Sequence, residues 1–155
     1  SQEVPDRNFA DPGLGMGVFA DFGLIPAGPG DIGLSFAFLA SVPAIHLEVG
    51  AVLRYRMHFE LNRGALRAVD PFIGFGAWFA WRENQMSDFY FIFGPSLGVD
   101  FEIGPPGLYV GFALDLNIVD PVPVRRTETI DGYDTDVEWR MDDVVGTFRI
   151  GYRLF

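Results

Sequence analysis

The stretch VVGTFRIGYRLF, residues 144–155, decides how the rest of the chain is read. Taken with period two, Phe148, Ile150, Tyr152 and Leu154 fall on one face, and Thr147, Arg149, Gly151 and Arg153 fall on the other. Side chains of a β-strand alternate between faces in this way, whereas a helix repeats its apolar positions every three to four residues. One face is wholly apolar, and the other mixes Gly with Arg. A strand of about ten residues with these two faces suits a wall between an apolar surrounding and a polar interior.

The same alternation recurs upstream. It predicts strands over residues 14–25, 32–42, 45–61, 67–82, 88–103 and 108–119, with 144–155 as the seventh. The contrast is strongest in 45–61. There Ile45, Leu47, Val49, Ala51, Leu53, Tyr55, Met57 and Phe59 alternate with His46, Glu48, Gly50, Val52, Arg54, Arg56, His58 and Glu60. Turn signals separate the strands: PAGPGD at 26–31, NRG at 62–64, the polar ENQMS at 83–87 and GPPG at 104–107. Residues 1–13 are polar and form an N-terminal segment that includes or leads into a first strand, and 14–155 form the body of the domain. Residues 120–143 are acidic and less regular, with a hairpin signal at Asp131-Gly132.

Composition narrows the alternatives. No run of 18 apolar residues exists, so no transmembrane helix is expected, although 16 Phe and a mean hydropathy of +0.20 are unusual for a domain surrounded by water. The net charge of −10, with Arg as the sole basic residue type besides His, argues against nucleic-acid binding. With no Cys, disulfides, thiol catalysis and Cys-based zinc sites are excluded. Ser1 is not followed by a basic and then apolar leader, so a signal peptide is expected to have been removed already.

In a sandwich or a soluble ligand-binding barrel the apolar face is the inside. Here the apolar faces carry the large aromatics, while Gly, Ser, Asp, Glu, His and Arg share the other face. Small and charged side chains mixed on one face suit a narrow lumen. An unbroken outer apolar face would aggregate in water but is favourable in hydrocarbon, where closure satisfies every backbone group. With its alternating strands and aromatic end, the chain resembles the small bacterial outer-membrane β-barrels of the OmpA-, OmpX- and OmpW-like class. The family's usual ending has Tyr two residues before the final Phe, whereas here Tyr152 shares its face with Leu154.

The resemblance implies an all-β, closed antiparallel transmembrane barrel in the outer membrane. It also implies contact with outer-membrane lipid, and an assembly signal for the barrel-assembly machinery at Phe148, Ile150, Tyr152, Leu154 and Phe155. Single-chain barrels of this kind have an even number of strands, with eight the smallest. An eighth strand is therefore expected, in residues 4–10 by preference or in 122–130. With the C-terminus periplasmic, 120–143 becomes a long outer hairpin and a candidate surface for a protein partner or divalent cations.

The inward charges expected to form a lumen network are Asp21, His46, Glu48, Arg54, Arg56, His58, Glu60, Arg82, Asp100, Glu102, Asp115, Arg149 and Arg153. Acids and Arg nearly balance, which favours ion pairs closing the interior, since a buried unpaired charge is costly. Ser41, His46 and Glu48 carry the residue types of a hydrolytic triad, and small barrels of this class include lipid-modifying enzymes. These residues point inward, however, away from a lipid substrate. His46 and His58 lie about 40 Å apart on an extended strand, too far to share a metal. No catalytic, cofactor or metal residue is assigned. The expected function is a non-enzymatic structural barrel or accessory subunit of a membrane assembly. The alternatives are a narrow gated pore for ions or small polar solutes, a lipid-modifying enzyme, and a soluble ligand-binding barrel.

Overall fold

A computed structural model describes residues 7–8, 13–42, 46–82, 88–117, 124–140 and 143–154. Its elements are all strands: β1 (Arg7–Asn8), β2 (Gly13–Ala27), β3 (Gly30–Val42), β4 (His46–Met57), β5 (Phe59–Arg63), β6 (Leu66–Arg82), β7 (Asp88–Ile103), β8 (Leu108–Asn117), β9 (Val124–Ile130), β10 (Tyr133–Arg140) and β11 (Asp143–Arg153). Seven of them close a barrel in the order β4-β3-β2-β11-β8-β7-β6, with β6 pairing back onto β4.

Seven strands, not eight, close the ring. In an up-and-down meander successive strands reverse, so the first and seventh run the same way. The closing pair β11–β2 is accordingly parallel, with Val145 opposite Gly13 and Arg153 opposite Asp21. The other ring pairs are antiparallel. The expectations of an eighth ring strand and of a wholly antiparallel sheet are both corrected. Of residues 4–10, Arg7 and Asn8 pair with Trp139 and Arg140 of β10, outside the ring, and the others lie outside the described residues. The second candidate, β9, pairs with β10 in a hairpin that does not enter the ring.

Short turns gather at one end of the barrel. β2 turns into β3 at Gly28-Pro29, β5 into β6 at Gly64-Ala65, and β7 into β8 within 104–107. Gly28, Gly64, Gly104 and Gly107 all have positive φ, which a residue with a Cβ adopts only with strain. β8 ends and β11 begins at the other end, with Asn117 opposite Asp143, and the β9–β10 hairpin lies between them in the chain. That hairpin turns on Asp131 (φ 52°) and Gly132 (φ 84°), the left-handed pair that matches the twist of a two-residue β-turn.

Outward faces are apolar. Phe36, Phe38, Leu53, Ile73, Phe75, Phe79, Phe112 and Ile150 are exposed, and Ile73 keeps 62% of its surface accessible. Phe91 and Phe93 lie on the same wall but are half-buried, because their rings meet edge to face at 4.7 Å and also touch Phe79 and Phe75. Inside, large side chains lie over glycines of neighbouring strands. A Cβ on Gly98 would come within 2.7 Å of the Phe72 ring, and one on Gly151 within 2.5 Å of the Phe19 ring. A ring of about eight strands just holds filled side chains, so a ring of seven fills only where bulky residues face residues with none.

Candidate functional site

The interior is divided along the barrel axis. Towards the loop end it is largely apolar: Phe19, Ala37, Leu39, Val52, Trp78, Ala80 and Ile92 pack into one buried cluster that also reaches Tyr109. Glu48 and Asp115 are buried in that half. A polar, ion-paired lumen was expected, with Leu39 and Trp78 on the same inward face by period; in this half they join Ile92 in an apolar filling.

Charge gathers towards the turn end, positioned by period two. On β4, Arg54 and Arg56 are successive inward residues, and both reach Asp21 on β2. Arg54 donates through Nε at 2.7 Å and through a second nitrogen to the same oxygen, while Arg56 Nη1 donates to the other oxygen at 2.6 Å. Asp31, at the start of β3, accepts from Arg54 Nη1 at 3.0 Å and from Arg153 of β11. Arg56 continues the network, its Nε lying 3.4 Å from Asp70 on β6 and its guanidinium 5.3 Å from the Tyr109 ring centre. Asp70 in turn pairs with His58 Nδ1 at 2.7 Å.

A second unit stands beside it. Arg149 of β11 grips Asp100 of β7 through two parallel bonds, Nε at 3.1 Å and Nη2 at 2.8 Å. Its guanidinium is held between the Phe19 and Phe72 rings, 4.4 Å from each centre. Asp100 stands directly opposite Asp70 in the β6–β7 ladder. Two like charges in that position repel, so each requires its own cation. Arg149 serves one and Arg56 the other. Four carboxylates (Asp21, Asp31, Asp70, Asp100) therefore meet four guanidiniums (Arg54, Arg56, Arg149, Arg153). Except for Asp31 and Arg153, which border the turn-end mouth, all of these side chains are buried.

The remaining candidates divide. Glu102 is tied to the turn, accepting from the Gly107 N–H at 2.8 Å. Glu60 is not in the interior: its side chain is 72% exposed. The reason is local. The long strand predicted over 45–61 breaks at His58, whose N–H donates to Pro29 O, and β5 then pairs with β6 alone, beyond the rim. His58, 32% exposed, marks that rim. His46 and Arg82 stand opposite each other in the β4–β6 ladder at the loop end, but their side chains lie outside the described part of the structure, as does Phe155. Phe148, Ile150, Tyr152 and Leu154 are exposed on the outer wall.

Sequence reasoning missed Asp31 and Asp70. Asp70 alternates with Val69 and Ile73, so its inward position was readable from the period. Asp31 was hidden inside a segment read as a six-residue turn, whereas the turn needs only Gly28 and Pro29. Chemically, the cluster holds cations and anions in mutual neutralisation. Among the described residues, no three His, Asp or Glu side chains converge as metal ligands. Compared with protein-family models, with curated proteins and with solved structures, the chain shows no match in any of the three.

Proposed function

We propose that this chain is an integral outer-membrane β-barrel without enzymatic activity, its interior closed by ion pairs, acting as a structural barrel or as an accessory subunit of a membrane assembly. One observation carries the reading. The closed ring displays Leu14, Met16, Val18, Phe38, Leu53, Ile73, Phe75, Phe79, Phe112 and Ile150 to its surroundings while Asp21, Arg54, Arg56, Asp100 and Arg149 are buried within. Water favours the reverse arrangement, and hydrocarbon favours this one. The short-turn end is assigned to the periplasm and the hairpin to the outside. The strand ending Phe148, Ile150, Tyr152, Leu154 and Phe155 is assigned as the signal read by the barrel-assembly machinery, in keeping with the OmpA-, OmpX- and OmpW-like resemblance.

The packing of the turn-end half supports the closed interior. An ion path would require Arg54 and Arg56 to leave Asp21, stranding buried charges at a cost of several kcal/mol each. The test is reconstitution. The protein should require detergent, migrate in a heat-modifiable way on gels, and give no steady conductance in a planar bilayer. A stable monomer in plain buffer would refute the membrane assignment. Ion-selective conductance altered by Arg54→Ala would refute the closed interior and establish a narrow pore.

A further inference from the structure

Arg54, Arg56, Arg149 and Arg153 are held by acids. Arg63 and Arg67 are not: both are exposed, and neither makes a hydrogen bond or ion pair with a described residue. They lie on the β5–β6 hairpin, where the outer wall runs on past the rim. Period two on β5 puts Phe59, Leu61 and Arg63 on the outer face. The ladder agrees, since Phe59 stands opposite Val69, and Arg63 stands opposite Leu66, which in turn opposes Ile103. Between Leu66 and Ala68, β6 carries one residue more than β7, and Arg67 is that residue, left unpaired at a bulge.

Their depth follows from strand geometry. Arg67 precedes Ile73, midway along β6, by six residues. At about 3.3 Å per residue and a strand tilt of about 40°, this is about 15 Å along the barrel axis. The apolar band of a membrane barrel is about 25 Å tall, so it ends about 12 Å from its centre. With Ile73 at that centre, Arg67 stands just past the hydrocarbon, at the depth of the lipid phosphates, and Arg63 stands across the hairpin turn from it. Tyr152, exposed on the outer wall and opposite Leu108 at the start of β8, places at the same end a side chain suited to the membrane–water boundary.

The acids of this end are engaged elsewhere. Asp31 accepts from Arg54 and Arg153, Glu102 accepts from the Gly107 N–H, and Glu60 lies 3.9 Å from His58. The hairpin face therefore offers two uncompensated guanidiniums beside two exposed apolar side chains, Phe59 and Leu61. A guanidinium matches the oxygens of a phosphate, and the apolar pair suits the upper part of an acyl chain. A soluble anion would satisfy the first feature alone; a phospholipid satisfies both. We propose that the outer face of the β5–β6 hairpin binds an anionic phospholipid in the leaflet at the short-turn end, with Arg63 and Arg67 on its headgroup and Phe59 and Leu61 against its chains. The proposal rests on the membrane assignment.

The test uses the full chain in phosphatidylcholine vesicles, with spin-labelled phosphatidylglycerol or spin-labelled phosphatidylcholine added as the probe. Heat-modifiable migration from unlabelled phosphatidylcholine vesicles first shows that wild type and variants are inserted and folded; Gln at two exposed positions leaves folding intact. The wild type should hold phosphatidylglycerol in the motionally restricted shell about threefold or more in preference to phosphatidylcholine. R63Q/R67Q should bring that ratio close to one, and R63E/R67E should reverse it. Raising the salt should weaken the wild-type preference. A chain that never inserts would refute the membrane assignment and the proposal with it. An inserted wild type without preference would overturn the proposal alone and leave the two arginines to an acidic protein partner in water. A preference that R63Q/R67Q retains in full would overturn it as well, by placing the lipid elsewhere on the wall.

Discussion

Replacing Asp100 by Leu removes the carboxylate while keeping a side chain of similar shape. It leaves the Arg149 guanidinium buried between Phe19 and Phe72 with its two hydrogen bonds gone. Breaking a buried pair from one side typically costs about 3–5 kcal/mol, because the surviving charge is uncompensated. Arg149→Met should cost a similar amount, since the stranded Asp100 also faces Asp70 across the ladder. The double variant D100L/R149M removes both charges and retains the stack, Met being able to lie against both rings. It should return to within about 1 kcal/mol of the wild type, as buried pairs replaced by apolar residues often do. Urea unfolding from lipid vesicles, followed by Trp fluorescence, gives all four stabilities. If the double variant lost the sum of the single losses, the two residues would be acting through shape and not through pairing. If D100L lost less than about 1 kcal/mol, Arg149 would have to reach water, and the interior would not be closed there.

The outer wall can be tested at Ile73, midway along β6 and the most exposed of its large apolar side chains. Ile73→Arg should cost about 2–4 kcal/mol in vesicle unfolding if it faces the middle of a bilayer, and within about 0.5 kcal/mol of nothing if it faces water. The internal packing can be tested at Gly76, where an added Cβ would overlap the Trp78 indole and meet its Cε2 at 3.1 Å. Gly76→Ala should cost about 1–3 kcal/mol by overpacking and shift the Trp emission; a neutral change would show the indole free to move.

The seven ring strands were legible because one physical cause, opposite surroundings on the two faces, writes the same period into each of them. The Asp131-Gly132 turn was legible because two successive left-handed residues restrict the choice of side chain. The closure was not. Strand number came from the even-number habit of barrels, but nothing in an alternating pattern states whether the last strand meets the first parallel or antiparallel. The interior charges were found as a face and not as partners. Arg54 and Arg56 both reaching Asp21 depends on the stagger between β2 and β4, which neither strand encodes alone. Glu60 misled for a related reason: its alternation continues through His58, while the ring it was assigned to has already ended.

The parallel seam between β2 and β11 also fixes sidedness. An even meander begins and ends on the same side of its barrel, but an odd one begins on one side and ends on the other. Here β2 enters from the hairpin end, and Arg7 and Asn8, just before it in sequence, already lie against that hairpin. β11 leaves at the short-turn end. In the proposed membrane setting, whatever is joined ahead of β2 and whatever is joined behind β11 face different compartments, so the barrel is wired as a feed-through and not as a loop.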